Sequence, residues 1–197
     1  MFACNTPLTG LLALASLLLL IACGSATVAG PTDLEGRATE AVDADARATV
    51  LIFVDPHCPV ANAMAPEIER LRRRFEPQDL RFRLIYPDGG LESSVITTHL
   101  EEYGLGATPL RDPGHVLVER YGATISPEAV VVVDGVTAYR GRIDDRAIEL
   151  GAGRVQPRHR DLELALEAVL AGREPDPART VAVGCELADL RTEPRAR

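Results

Sequence analysis

Four cysteines punctuate the chain, and one of them, Cys58, stands where a thiol can do chemistry. It lies in VLIFVDPHCPVANAMAPEIERLRRRF, Val50 to Phe75, in which an apolar run is halted by Asp55-Pro56 and a helical pattern begins at Pro59. A cysteine at that junction caps a helix N-terminus. Unpaired N–H groups and the positive end of the helix dipole favour the thiolate there, and the thiolate is the nucleophilic form. The chemistry implied is attack on a disulfide or a peroxide. Pro59 supports the geometry, because its missing N–H costs nothing at the first helical position. His57 takes a supporting role only, since side chains adjacent along a chain often point apart. Asp55 opposes a thiolate if it lies close.

A second sulfur is needed to complete such a reaction, and the spacing supplies one candidate. Leu11 to Ile21 is an apolar stretch of signal-peptide length, and Leu20-Ile21-Ala22-Cys23 matches a bacterial lipobox. On that reading Cys4 leaves with the signal and Cys23 is acylated, which leaves Cys58 and Cys185 as the free thiols of the mature chain. Several acyl chains on one residue, each worth roughly 0.8 kcal/mol per buried CH₂, hold a protein at a membrane durably. Cys185 lies in a segment rich in proline and mixed charge. From Gly172 the chain can reach roughly 40 Å to it, at about 3.3 Å per residue. Gly184 beside it permits close backbone approach. The pair can serve as a redox couple or as a structural disulfide, since an exported chain meets oxidising conditions.

The elements that must position these sulfurs follow from periodicity. Val50 to Val54 reads as a strand covered on both faces. The helix after it turns Met64, Ile68, Leu71 and Phe75 inward, with Pro66 a kink in an otherwise regular stripe. Phe82 to Tyr86 is a second strand, ended by Pro87-Asp88-Gly89-Gly90. Leu91 to Tyr103 is a helix with Ile96, Leu100 and Tyr103 inward, and His99 beside that stripe reads as a packed side chain. A short strand, Ala107 to Arg111, and a short helix, His115 to Tyr121, come next. Ser126-Pro127-Glu128 introduces the strand Ala129 to Val133, Asp134-Gly135 turns it, and Val136 to Arg140 returns antiparallel. Asp161 to Ala171 closes the order as a helix with Leu162, Ala165, Leu166, Val169 and Leu170 on one face, ended by Gly172.

Strand, cysteine at a helix start and proline at position 66 together resemble the thioredoxin superfamily. The resemblance is to the redoxin (AhpC/TSA-like) exported lipoproteins. It implies an α/β fold, a central mixed sheet flanked by helices, with a redoxin-type insertion at Ala107 to Tyr121. It also implies that Pro127 is cis and faces Cys58, and that Ser126 offers a backbone edge for an extended substrate. The active site departs from its relatives. The second cysteine of a CxxC pair is Ala61, the peroxiredoxin Pro and Thr positions are Leu51 and Asp55, and the second cysteine of the copper-handling Sco-type redoxins is Asn62.

The expected organisation is a signal peptide over 1–22, a lipidated N-terminus and spacer over 23–45, a thioredoxin-like domain over 46–172 and an extended tail over 173–197. A net charge of −8, with every basic side chain an arginine and no basic cluster beyond Arg70 to Arg74, argues against nucleic acid as a partner. Those arginines fit the last turns of a helix, where the dipole favours cations. No cofactor and no metal ligand set is expected. The leading function is a membrane-tethered, extracytoplasmic thiol-disulfide oxidoreductase or antioxidant thiol peroxidase on the periplasmic face. Cys58 attacks a thiol/disulfide protein or a peroxide, Cys185 resolves the product, and an external reductant closes the cycle. Copper handling and a non-catalytic binding module are the alternatives.

Overall fold

A strand without a polar face needs cover on both sides, and β1 (Ala48–Phe53) is buried at every position. The computed structural model describes residues 30–187. After β1 come α1 (Pro59–Phe75), a short 3₁₀ turn at Glu76–Gln78, β2 (Leu80–Tyr86), α2 (Ser93–Tyr103), β3 (Thr108–Arg111) and α3 (Val116–Tyr121). They are followed by β4 (Ile125–Ser126), β5 (Glu128–Val133), β6 (Val136–Gly141), β7 (Ala147–Glu149), β8 (Ala152–Gly153), α4 (Asp161–Leu170) and β9 (Cys185–Glu186). The central sheet has five strands in the order β3-β2-β1-β5-β6. β1 runs parallel to β2 and β2 to β3, while β5 and β6 are antiparallel. It is the mixed α/β sheet expected, with the segment before α3 supplying its edge strand.

The period of two along β1 divides the core. Val50, Ile52 and Val54 join Met64, Ile68, Leu71 and Phe75 of α1, Ile96 of α2 and Leu162 and Leu166 of α4 on one face. Leu51 and Phe53 join Leu117 and Tyr121 around α3 on the other. Pro66 lies inside α1 on its exposed side. The arginine run ends α1 as expected, and it is also paired: Arg72 and Arg73 bond Glu69, while Arg70 and Arg74 reach Glu163 across to α4.

Two expectations need correction. Residues 30–45 are not a free spacer over their whole length. Thr32 and Arg111 exchange backbone hydrogen bonds of 2.9 and 2.8 Å, Leu34 packs on the core, and Ala41 is buried. Nor is the tail, expected to be extended, free of the domain over residues 173–187. Thr180 and Ala178 bond Arg140, Tyr139 Oη meets Thr180 Oγ1 at 2.7 Å, and β9 pairs with β4. Both segments lack a hydrophobic period, so their docking rests on a few backbone bonds and single apolar contacts. The β7–β8 hairpin gave no clear pattern either, since Ile148 and Leu150 are exposed. Cys4, Cys23 and the signal segment, like positions 188–197, lie outside the described residues. No helix of the described residues is long and apolar enough to cross a membrane.

Candidate active site

The end of β1 delivers Cys58 through a tight turn. His57 N–H donates to Asp55 Oδ1 at 2.8 Å and Cys58 N–H to the Asp55 carbonyl at 3.0 Å. This is how a short aspartate begins a helix. Cys58 is the N-cap residue of α1, with φ −83° and ψ 112°, and Pro59 occupies the first turn. Its sulfur, however, makes no capping bond to the helix N–H groups. The thiol donates instead to the Ser126 carbonyl at 3.1 Å, and Cys58 is 0% exposed.

Ser126 ties the site together. Its peptide bond to Pro127 is cis, its hydroxyl accepts from Asp55 N–H at 2.8 Å, and its carbonyl receives the Cys58 thiol. The resemblance implied the edge and the cis proline; the hydroxyl contact was not legible, because it joins loops 71 residues apart. Glu128 braces the same loop. One carboxylate oxygen accepts from Thr124 N–H at 2.9 Å and the other from Arg140 Nε at 2.7 Å. A buried carboxylate without partners would be costly, and this one has both oxygens satisfied.

The tail brings Cys185 to this edge. β9 runs antiparallel to β4, with Ser126 opposite Cys185 and Ile125 opposite Glu186, and Leu187 N–H donates to the Thr124 carbonyl at 3.0 Å. Both cysteines are free thiols, and they are partners: burial, hydrogen bonding to Cys58 and the charges of Cys58 and Asp55 push the Cys185 thiol up to about 12. Cys185 therefore holds its proton through the neutral range. Asp55 lies close enough to add to the rise of the Cys185 thiol.

His57 is exposed, and with Pro56, Ser94, Thr98, His99 and Tyr103 it lines a cleft of about 280 Å³ beside the cysteine turn. His99 is packed, as expected, but it is also wired to the site. Asn62 Nδ2 donates to the Pro56 carbonyl at 2.9 Å, which turns Oδ1 toward His99 Nε2 at 3.0 Å, and His99 Nδ1 meets Tyr86 Oη at 2.9 Å. The neutral ring satisfies this chain by donating from Nε2 and accepting at Nδ1. Burial lowers the His99 pKa and so keeps that form. Asn62, at the position of a Sco-type cysteine, thus braces the turn that carries Cys58. Among the described residues no group of three or more His, Cys, Asp or Glu could hold a metal ion.

A five-stranded mixed sheet in this order, a helix started by a cysteine and a cis Ser126-Pro127 bond whose serine carbonyl receives the cysteine thiol make this a thioredoxin-like fold. No protein-family profile and no curated protein matches the sequence. Solved structures are similar to it. An uncharacterised conserved protein from Geobacillus kaustophilus shares 23% identity over 83% of this chain and 91% of its own, with a TM-score of 0.69. A hypothetical protein from Sinorhizobium meliloti shares 21% over 73% and 80%, at 0.64. A secreted Mycobacterium tuberculosis disulfide oxidoreductase homologous to E. coli DsbE shares 20% over 74% and 96%, at 0.50. These likenesses define the fold.

Proposed function

We propose that this chain is an extracytoplasmic thiol-disulfide oxidoreductase tethered to a bacterial membrane through lipidated Cys23. The observation that carries the reading is that both cysteines meet at Ser126, whose carbonyl receives the Cys58 thiol and which faces Cys185 across the β4–β9 pair. Cys58 attacks one sulfur of a substrate disulfide, the substrate's S–S bond breaks, and its other sulfur leaves as a thiolate. Cys185 then gives up its proton and attacks Cys58, which releases the second substrate sulfur and leaves a Cys58–Cys185 disulfide. Two thiols of this chain are oxidised while one disulfide is reduced, and an external dithiol returns the chain to its starting state. The secreted, disulfide-oxidoreductase description of the M. tuberculosis neighbour agrees with this reading.

Disulfide exchange is favoured here over peroxide reduction for a local reason. Leu51, at the proline position of the peroxide cradle, is fully buried in β1, and Asp55 offers a carboxylate where a hydroxyl would serve peroxide. The test is to incubate the purified mature chain with a small aromatic disulfide and with hydrogen peroxide, beside the C58S variant. Disulfide exchange that is fast in the native chain and lost in C58S supports the reading. Equal rates in both chains overturn it, and tight stoichiometric copper binding without thiol turnover would favour copper handling. Mass spectrometry of the membrane fraction should find acylated Cys23; an unmodified N-terminus elsewhere removes the tether.

A further inference from the structure

Cys58 is 0% exposed, so no disulfide reaches its sulfur in this arrangement and something must move aside first. β9 lies at the same edge: its backbone occupies the β4 edge, and its Cys185 faces Ser126, whose carbonyl receives the Cys58 thiol. That attachment is slight. β9 and β4 share two register pairs, whereas β1 shares six with β2 and five with β5. Upstream, the tail is moored at Thr180 to Arg140 and Arg142. Between the two moorings Val181 to Gly184 make no backbone hydrogen bond among the described residues, and Val181 is 80% exposed. A short, weakly paired strand on an unbonded leader is the kind of segment that opens locally while the rest of a fold stays closed.

Resting on the thiol-disulfide reading above, we propose that the β4 edge receives an extended cysteine-bearing polypeptide by exchange with the chain's own β9, and that it selects glycine immediately before the incoming cysteine. The docked tail shows what the edge accepts. A Cβ on Gly184 would run into the Ser126 carbonyl, the same oxygen that receives the Cys58 thiol. Any other residue there pushes the strand off its register or displaces the acceptor. Two positions after the cysteine, Leu187 packs against the cluster of Leu51, Phe53 and Val130. The sequence that fits is therefore Gly-Cys, any residue, then an apolar side chain. Guest and tail compete for one edge in one register. Return of Cys185 to resolve the mixed disulfide is then also the step that expels the product strand.

The probe is the peptide Val-Gly-Cys-Glu-Leu as its mixed disulfide with 5-thio-2-nitrobenzoate, compared with the same probe carrying valine before the cysteine. Cys58 attacks the peptide sulfur, the bond to the nitrobenzoate sulfur breaks, and 5-thio-2-nitrobenzoate leaves with the electron pair and is read by absorbance. The glycine probe should react roughly tenfold faster or more. In a second arm, Gly184→Val should undock the tail and raise the alkylation rate of Cys58 by roughly tenfold or more. Val181→Ser, in the exposed leader, should leave it at the native rate. Equal rates for the two probes overturn the selectivity, and Cys58 alkylation that ignores Gly184→Val overturns the exchange. If Gly184→Val does not fold, the probe comparison on the native chain still decides. A chain that reacts with neither probe nor with any small disulfide would instead defeat the thiol-disulfide reading itself.

Discussion

The two cysteines reach one edge by opposite means. Cys58 is set between the six residues of β1, all buried, and the seventeen of α1, so its position is held by the whole core. Cys185 is set by a two-residue strand beyond an unbonded leader. One sulfur is held by the core, the other by a short pairing at an edge. A nucleophile gains from being held in place, whereas a resolving thiol has to arrive after the substrate and withdraw before the next one. The difference in anchoring thus matches the order in which the two groups would act.

Mutations that break this division should do so unequally. The largest effect belongs to Cys58→Ser, which should abolish exchange with a small disulfide, measured by release of a chromophoric thiol. Cys185→Ser should still permit the first attack but stop there, leaving one equivalent of substrate bonded to Cys58 in the mass spectrum. The core-held side can be weakened without touching a sulfur. Leu71→Ala, at a fully buried position on α1, should cost roughly 2–5 kcal/mol in chemical denaturation. On the edge-held side, Leu187→Ala should cost no more than about 1 kcal/mol globally while loosening β9, read as faster amide exchange at Cys185 and Leu187.

An intermediate effect lies in the charge network behind α1. Arg72, the Gly106 N–H and Arg73 hold the Glu69 carboxyl at about 2, against burial, from an ordinary 4.5. Its folded pKa is depressed, so its contribution is present above the ordinary value and is lost as pH falls from about 4.5 through about 2. Glu69→Gln should cost roughly 1.5–3 kcal/mol near neutral pH, as expected for hydrogen bonds to a charged group. It should also flatten the acid limb of the stability curve while leaving disulfide exchange at the native rate.

Much of the fold was open to reading because β1, α1, β2, β5 and α4 announce themselves by period, and local period reports which face a residue buries. Cys58 at a helix start, the turn at Asp55-Pro56, the Asp134-Gly135 hairpin and the Ser126-Pro127 step were all visible as short-range patterns. Residues 30–45 and β9 were not, since a docked segment held by two or three backbone bonds leaves no repeat in its side chains. The same holds for the Tyr86–His99–Asn62 chain, the Ser126 hydroxyl on Asp55 and the Glu128 brace. Each joins side chains whose types are ordinary and whose separation along the chain carries no signal. Local pattern placed Cys58 at a helix start and named the strand and helix that carry it. Which sulfur lies against it, and over which edge, was decided only when the tail folded back, because nothing in the chemistry of Cys185 distinguishes a thiol that reaches Ser126 from one that never does.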